Sequence, residues 1–126
     1  MPKTATVSPT GNSYINGVLA GVRWASDTLT FSFPSSRGLY GKRYGAGEPH
    51  AQFGHFNNAQ ENATRAILDL YASVADINFV EVNETQNQHA TLRFADATST
   101  AWAYYPSQGQ LAGDVWLSHS FSPNIP

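Results

Sequence analysis

Apolar and polar positions fall into short, separable patterns along the chain. Residues 1–13 are polar with two prolines and read as a flexible N-terminal arm; the apolar, turn-rich run 14–21 follows, and the ordered domain, residues 14–126, is expected to start there. Leu29, Phe31 and Phe33 alternate with Thr30 and Ser32, the pattern of a half-buried strand, which Pro34 ends. Between Pro34 and Asn58 lie five of the ten glycines, predicting a long loop of the functional or mobile kind. Ala63, Ala66, Ile67, Leu70, Tyr71 and Val74 then recur at i, i+3, i+4, i+7, i+8 and i+11, which predicts a helix whose apolar face packs on a sheet. Asn58 followed by Glu61 resembles a capping box. Glu61, Arg65 and Asp69 stand four apart on the opposite face and predict a solvated ladder, each pair worth about 0.3–0.5 kcal/mol.

Four further strand-like runs, 77–82, 91–95, 101–105 and 114–117, are separated by polar or Gly/Pro-containing turns. The order strand, helix, four strands predicts an α/β or α+β fold, a mixed sheet with one main helix. The helix between 29–33 and 77–82 fits a right-handed crossover joining parallel neighbours, and the short later connections favour at least one hairpin. There is no internal repeat and no low-complexity tract.

Composition narrows the function classes. A chain of 126 residues is expected to form one domain. Only 13% of residues are charged, against about 25% in ordinary soluble proteins; Ser, Thr and Asn supply the polarity, a balance common among secreted proteins. The absence of cysteine excludes disulfides, thiolate metal sites and cysteine nucleophiles, so any metal would need His or carboxylate ligands. A net charge of −2 with scattered Lys and Arg gives no footprint for nucleic acid or an anionic membrane. No apolar run of 18 residues exists, and residues 1–10 lack the apolar core of a cleavable secretory signal.

Most motif tests are negative. Gly38-Leu39-Tyr40-Gly41-Lys42-Arg43 has neither the glycine spacing nor the hydroxyl after lysine that a phosphate loop uses to hold magnesium, and Gly45-Ala46-Gly47 lacks the third glycine and preceding strand of a dinucleotide site. Of His50, His55, His89 and His119, only the first two are close, five apart in the glycine-rich loop, and structural or surface roles are expected for all four. No Gly-x-Ser-x-Gly elbow occurs, and the sequons Asn62-Ala63-Thr64 and Asn83-Glu84-Thr85 are of the sort that arise by chance.

The run Ala101, Trp102, Ala103, Tyr104, Tyr105 is more informative. Strand alternation puts Trp102 and Tyr104 on one face and Ala101, Ala103 and Tyr105 on the other. Two readings stand side by side: core aromatics on an inner strand, or an exposed edge strand to which a peptide adds itself through main-chain hydrogen bonds, a position that Pro106 suits.

The combination Asn16-Gly17-Val18-Leu19-Ala20-Gly21-Val22-Arg23-Trp24, Leu29-Thr30-Phe31-Ser32-Phe33-Pro34, Ala66-Ile67-Leu68-Asp69-Leu70-Tyr71-Ala72-Ser73-Val74, Ile77-Asn78-Phe79-Val80-Glu81-Val82, Ala90-Thr91-Leu92-Arg93-Phe94-Ala95, Ala101-Trp102-Ala103-Tyr104-Tyr105-Pro106 and Gly113-Asp114-Val115-Trp116-Leu117 resembles the N-terminal half of the serralysin catalytic domain. Serralysins are secreted bacterial zinc endopeptidases of the metzincin clan. The resemblance implies a twisted five-stranded sheet, four strands parallel and one antiparallel at the edge, with Ala101, Trp102, Ala103, Tyr104 and Tyr105 as the edge strand that binds the substrate peptide. It also implies an extracellular location, because the family is exported through a C-terminal signal rather than an N-terminal one.

The family's His-Glu-x-x-His-x-x-Gly-x-x-His helix, which supplies three zinc ligands and a Glu base, does not occur in this sequence, nor do its calcium-binding repeats. The resemblance therefore implies zinc and calcium for the full-length family and neither for this chain, with no catalytic or metal-ligating residue among those present. The expectation is the substrate-binding N-terminal part of a zinc metalloendopeptidase, inactive alone, with an apolar sheet face open to the missing catalytic half or a self-associating copy. A non-catalytic module that captures peptides or a partner on its edge strand is the alternative. A carbohydrate binder using Trp102, Tyr104 and Tyr105 is a third reading.

Overall fold

The computed structural model describes residues 3–12, 22–41, 44, 53–97 and 101–118. The elements run β1 (Thr4–Thr6), β2 (Val22–Trp24), β3 (Thr28–Ser32), a 3₁₀ turn (Arg37–Tyr40), α1 (Asn58–Val74), β4 (Asn78–Glu81), β5 (Leu92–Ala97), β6 (Trp102–Ala103) and β7 (Val115–Ser118). β3 to β7 form one sheet in the order β4-β3-β5-β7-β6, while β1 and β2 pair antiparallel as a separate ribbon. β4, β3, β5 and β7 are parallel, and β6 runs antiparallel to β7 at one edge. The fold is thus α+β with a mostly parallel five-stranded sheet and one main helix, as the pattern predicts. The helix joins parallel neighbours, and β6 with β7 supplies the hairpin. Thr4–Thr6, inside the segment read as an arm, are drawn into β1, and the segment 14–21 lies outside the described residues.

The registers define two sheet faces. Phe31 is level with Leu92, and Phe94 with Val115, so Phe31, Phe33, Leu92, Phe94, Val115 and Leu117 share one face; Arg93, Ala95, Ala97, Trp116 and Ser118 share the other. The second face is closed by the loop after β3. Tyr40 and Tyr44 pack on Ala95, Ala97 and Trp116 in a buried cluster, which Phe53, Trp102, Tyr104 and Leu111 border.

α1 covers the first face, but not in the way its periodicity suggests. The cap is Asn57 with Gln60 rather than Asn58 with Glu61: Asn57 Oδ1 accepts from the Gln60 N–H and Gln60 Oε1 from the Asn57 N–H, both at 2.8 Å. Gln60 and Leu68 are the buried residues of the helix. The stripe expected to pack on the sheet is instead open, with Leu70 68% and Val74 84% exposed, and Ile67 and Tyr71 more than half exposed. The ladder expected to be solvated turns partly inward. Arg65 pairs with Glu81 of β4 at 2.7 Å and sits 5.2 Å above the Phe33 ring. Those contacts, with the bond from Gln60 Nε2 to Asp96 Oδ1 of β5 at 3.0 Å, fix the rotation of the helix about its axis. A polar anchor at each side outweighs the pull of four apolar side chains that meet no facing layer among the described residues.

Candidate functional site

β6 is where the fold places the residues singled out in the sequence. Trp102 is level with Trp116 and Ala103 with Val115. The Tyr104 N–H donates to the Asp114 carbonyl at 3.0 Å, and the Tyr104 carbonyl accepts from the Gly113 N–H at 3.2 Å. Tyr104, and Trp102 two residues before it, therefore point their backbone groups at β7. Those of Ala101, Ala103 and Tyr105 point away, along an edge that no other described strand pairs with. The side chains divide as alternation requires. Trp102 stacks on Trp116 with ring centroids 6.1 Å apart, and Tyr104 meets Tyr44 edge-on at 6.4 Å. Ala101 and Ala103 are exposed, and Tyr105 is 74% exposed. The run therefore lies at an edge of the sheet and not on an inner strand, with Trp102 and Tyr104 turned to the packed face and Ala101, Ala103 and Tyr105 exposed.

Behind the edge lies a polar network that the sequence patterns did not reveal. Asp114 is buried and receives Arg93 Nε at 2.8 Å and Nη2 at 2.7 Å, together with the Tyr44 hydroxyl. Trp116 Nε1 donates to the same hydroxyl oxygen at 3.1 Å, and the Arg93 guanidinium lies 4.4 Å from the Tyr40 ring centre. Burial pushes the Asp114 carboxyl up to about 6 although Arg93 and Tyr44 pull it down. Burial opposes the charge on Arg93, but its hydrogen bonds to Asp114 hold its pKa above the usual value. Burial and the neighbouring Asp114 raise both tyrosines, so both stay neutral; the Tyr44 hydroxyl donates to Asp114, whereas the buried Tyr40 hydroxyl has no hydrogen-bond partner among the described residues. The network locks β5, β7 and the turn before β7 together, and so sets where β6 lies. Its only trace in the sequence is one charged residue at an inward position of each strand run, Arg93 and Asp114.

The histidines do not assemble. His55 Nδ1 lies 2.9 Å from the Pro34 carbonyl and its Nε2 3.3 Å from Glu61 Oε2, while His89 Nδ1 pairs with the buried Glu84 carboxylate at 2.7 Å. Glu84 is already filled by the Ser32 hydroxyl and the Ala90 N–H. Among the described residues no group of three or more His, Asp or Glu side chains could hold a metal, so these residues do not fit a zinc ion. His50 and His119 lie outside the described residues. No helix among the described residues is long and apolar enough to cross a membrane.

No protein-family model matches the sequence. Similarity to individual proteins is more informative. The chain is 35% identical over 78 residues to a serralysin of Photorhabdus sp. (strain Az29), covering 57% of this chain and 16% of that protein. It is 32% identical over 80 residues to a serralysin of Photorhabdus luminescens, covering 59% and 16%. It is 29% identical over 82 residues to Serralysin G of Dickeya chrysanthemi, covering 57% and 17%. The relationship to serralysins is thus distant and partial, and the chain spans about a sixth of the length of the curated relatives it matches.

Proposed function

We propose that this chain is the substrate-binding N-terminal part of a secreted, zinc-dependent metalloendopeptidase, with residues 14–126 as its domain portion. The strand β6, through Ala101, Trp102, Ala103, Tyr104 and Tyr105, receives an extended peptide. The polypeptide carrying His-Glu-x-x-His, absent from this sequence, supplies zinc and the chemistry of hydrolysis. Calcium belongs to the C-terminal repeats of such proteins and has no role in this chain.

The observation that carries this reading is a difference between the two faces of β5 and β7. On the loop face Arg93, Ala95, Ala97, Trp116 and Ser118 are buried; on the helix face Leu92, Phe94, Val115 and Leu117 are only half-buried. Arg65 reaches to β4, at the sheet edge far from β6, and Gln60 to β5, so the side of α1 that carries Gln60, Ile67, Tyr71 and Val74, spaced i, i+7, i+11 and i+14, is the side turned towards β5 and β7. An open sheet half walled by an apolar helix flank and bordered by the antiparallel edge strand is suited to a second amphipathic helix. In the proposed peptidase the zinc-bearing helix fills that corner, directly beneath the peptide on β6.

Casein hydrolysis by the purified chain, with and without a separately supplied polypeptide carrying the His-Glu-x-x-His half, tests this. Zinc-dependent activity only with both parts is the expected result. Inactivity in every combination, with peptide binding retained, points to a non-catalytic module instead. Hydrolysis by this chain alone overturns the proposal.

A further inference from the structure

The outward-facing residues of the edge strand are not equivalent. Ala101 and Ala103 offer methyl groups, whereas Tyr105, two residues past the last residue of β6 and directly after the Tyr104 backbone bonds to Asp114 and Gly113, stands 74% exposed. Because Trp102 and Tyr104 are committed to the Trp116 and Tyr44 side, alternation puts the Tyr105 ring on the other face, beside Ala103 and above the open half of the sheet. Pro106 follows directly, which restricts Tyr105 to extended backbone and holds the ring in line with the strand.

We infer that Tyr105 is the specificity-determining residue of this edge, selecting extended peptides with an aromatic or large aliphatic side chain at the residue that pairs with it. The inference rests on the reading of β6 as the peptide-binding strand and adds the class of peptide. A peptide that pairs with the outward backbone groups of Ala103 places the side chain opposite Ala103 over a methyl group, where bulk of any kind is accepted. Two residues along, the side chain opposite Tyr105 lies on the same face against the phenol ring. Directly opposed aromatic and apolar pairs on a sheet attract more strongly than pairs involving alanine. Ala101 gives no such contact, so the preference is confined to one peptide position and is one-sided along the strand.

The test is an NMR titration of the 126-residue chain with blocked hexapeptides of alternating threonine and valine, in which one threonine is replaced by phenylalanine, leucine or alanine. A fourth peptide is the phenylalanine one N-methylated at alternate amides. The expected order of affinity is phenylalanine, leucine, alanine, spanning about fivefold, with shifts at the Ala103 amide and none from the N-methylated peptide. Tyr105→Ala, at an exposed position that leaves the spectrum of the fold intact, is expected to abolish the order while weak binding persists; Tyr105→Phe is expected to keep it. If N-methylation blocks binding but the order survives in Tyr105→Ala, the role of Tyr105 is overturned and the edge-strand reading stands. If no peptide shifts the Ala103 amide, or the N-methylated peptide binds as well as its parent, both are overturned.

Discussion

Arg93 holds Asp114 with two nitrogens, at 2.8 and 2.7 Å, across the boundary between β5 and the turn into β7, and both side chains are buried. Removing one partner leaves the other charge without compensation in a site that water does not reach. Asp114→Ala is therefore expected to destabilise the chain by about 3–5 kcal/mol, read as a lower midpoint in urea unfolding. A loss below about 1 kcal/mol would show that water replaces the carboxylate.

The same pair gives a pH dependence of defined sign. The Asp114 carboxyl is raised by burial from 3.8 to about 6, so the folded chain keeps its proton more tightly than the unfolded one. Its contribution to stability is complete below about pH 4 and is lost as pH rises through about 6. Glu81, held below the usual carboxylate range by its hydrogen bonds to Arg65, contributes in the opposite sense and loses its contribution in acid. A carboxyl-carbon NMR titration is expected to place the Asp114 midpoint near 6, and Asp114→Asn to remove the fall in stability between pH 4 and 6. A midpoint near 4 refutes this.

Gly113 adopts φ +79, and a Cβ there would collide with the Thr91 carbonyl oxygen and press the Trp24 ring at 3.1 Å. Gly113→Ala is expected to cost about 2–4 kcal/mol, combining a left-handed backbone with a clash against a fixed neighbour. Thermal melts of the two proteins side by side suffice to check it.

The open stripe on α1 gives the clearest contrast between the two views of the helix. Were Leu70 and Val74 core residues, Leu70→Glu and Val74→Glu would each cost several kcal/mol. At 68% and 84% exposure they are expected to change the stability of the isolated chain by no more than about 0.5 kcal/mol, while weakening complementation by the zinc-bearing half. Denaturant midpoints and the casein assay report the two effects separately.

At the edge strand, Trp102→Ala removes a ring stacked 6.1 Å from Trp116 and is expected to cost about 2 kcal/mol, whereas Tyr105→Ala is expected to be silent in stability. Equal losses at the two positions would place Tyr105 inside the fold.

The sheet was legible because strands write a period of two into the sequence. Leu29 to Phe33, Phe79 and Val80, Leu92 and Phe94, and Val115 to Leu117 all lie in strands or directly at their ends, and the split of the 101–105 run between two faces follows from alternation alone. The rotation of α1 was not legible. Periodicity identifies an apolar stripe but not what it faces, and here Arg65 and Gln60 find specific partners on β4 and β5 while Ile67, Leu70, Tyr71 and Val74 stay exposed. The one-residue shift of the cap arose because Asn57 and Asn58 are adjacent, each followed three residues later by a polar side chain able to complete the box. The Arg93–Asp114 network stayed hidden because partners 21 residues apart leave no local signal.

The order β4-β3-β5-β7-β6 also bears on how the chain reaches its fold. β5 is the middle strand and the third of this sheet's five in chain order, and its contact with β3 links residues 61 positions apart, as in the bond from the Thr91 N–H just before it to Thr30. Joining β3 to β5 must wait until the residues of β5 are available, and the loop that must be drawn in is long. A folding rate slower than that of a helical chain of the same length is the expected consequence.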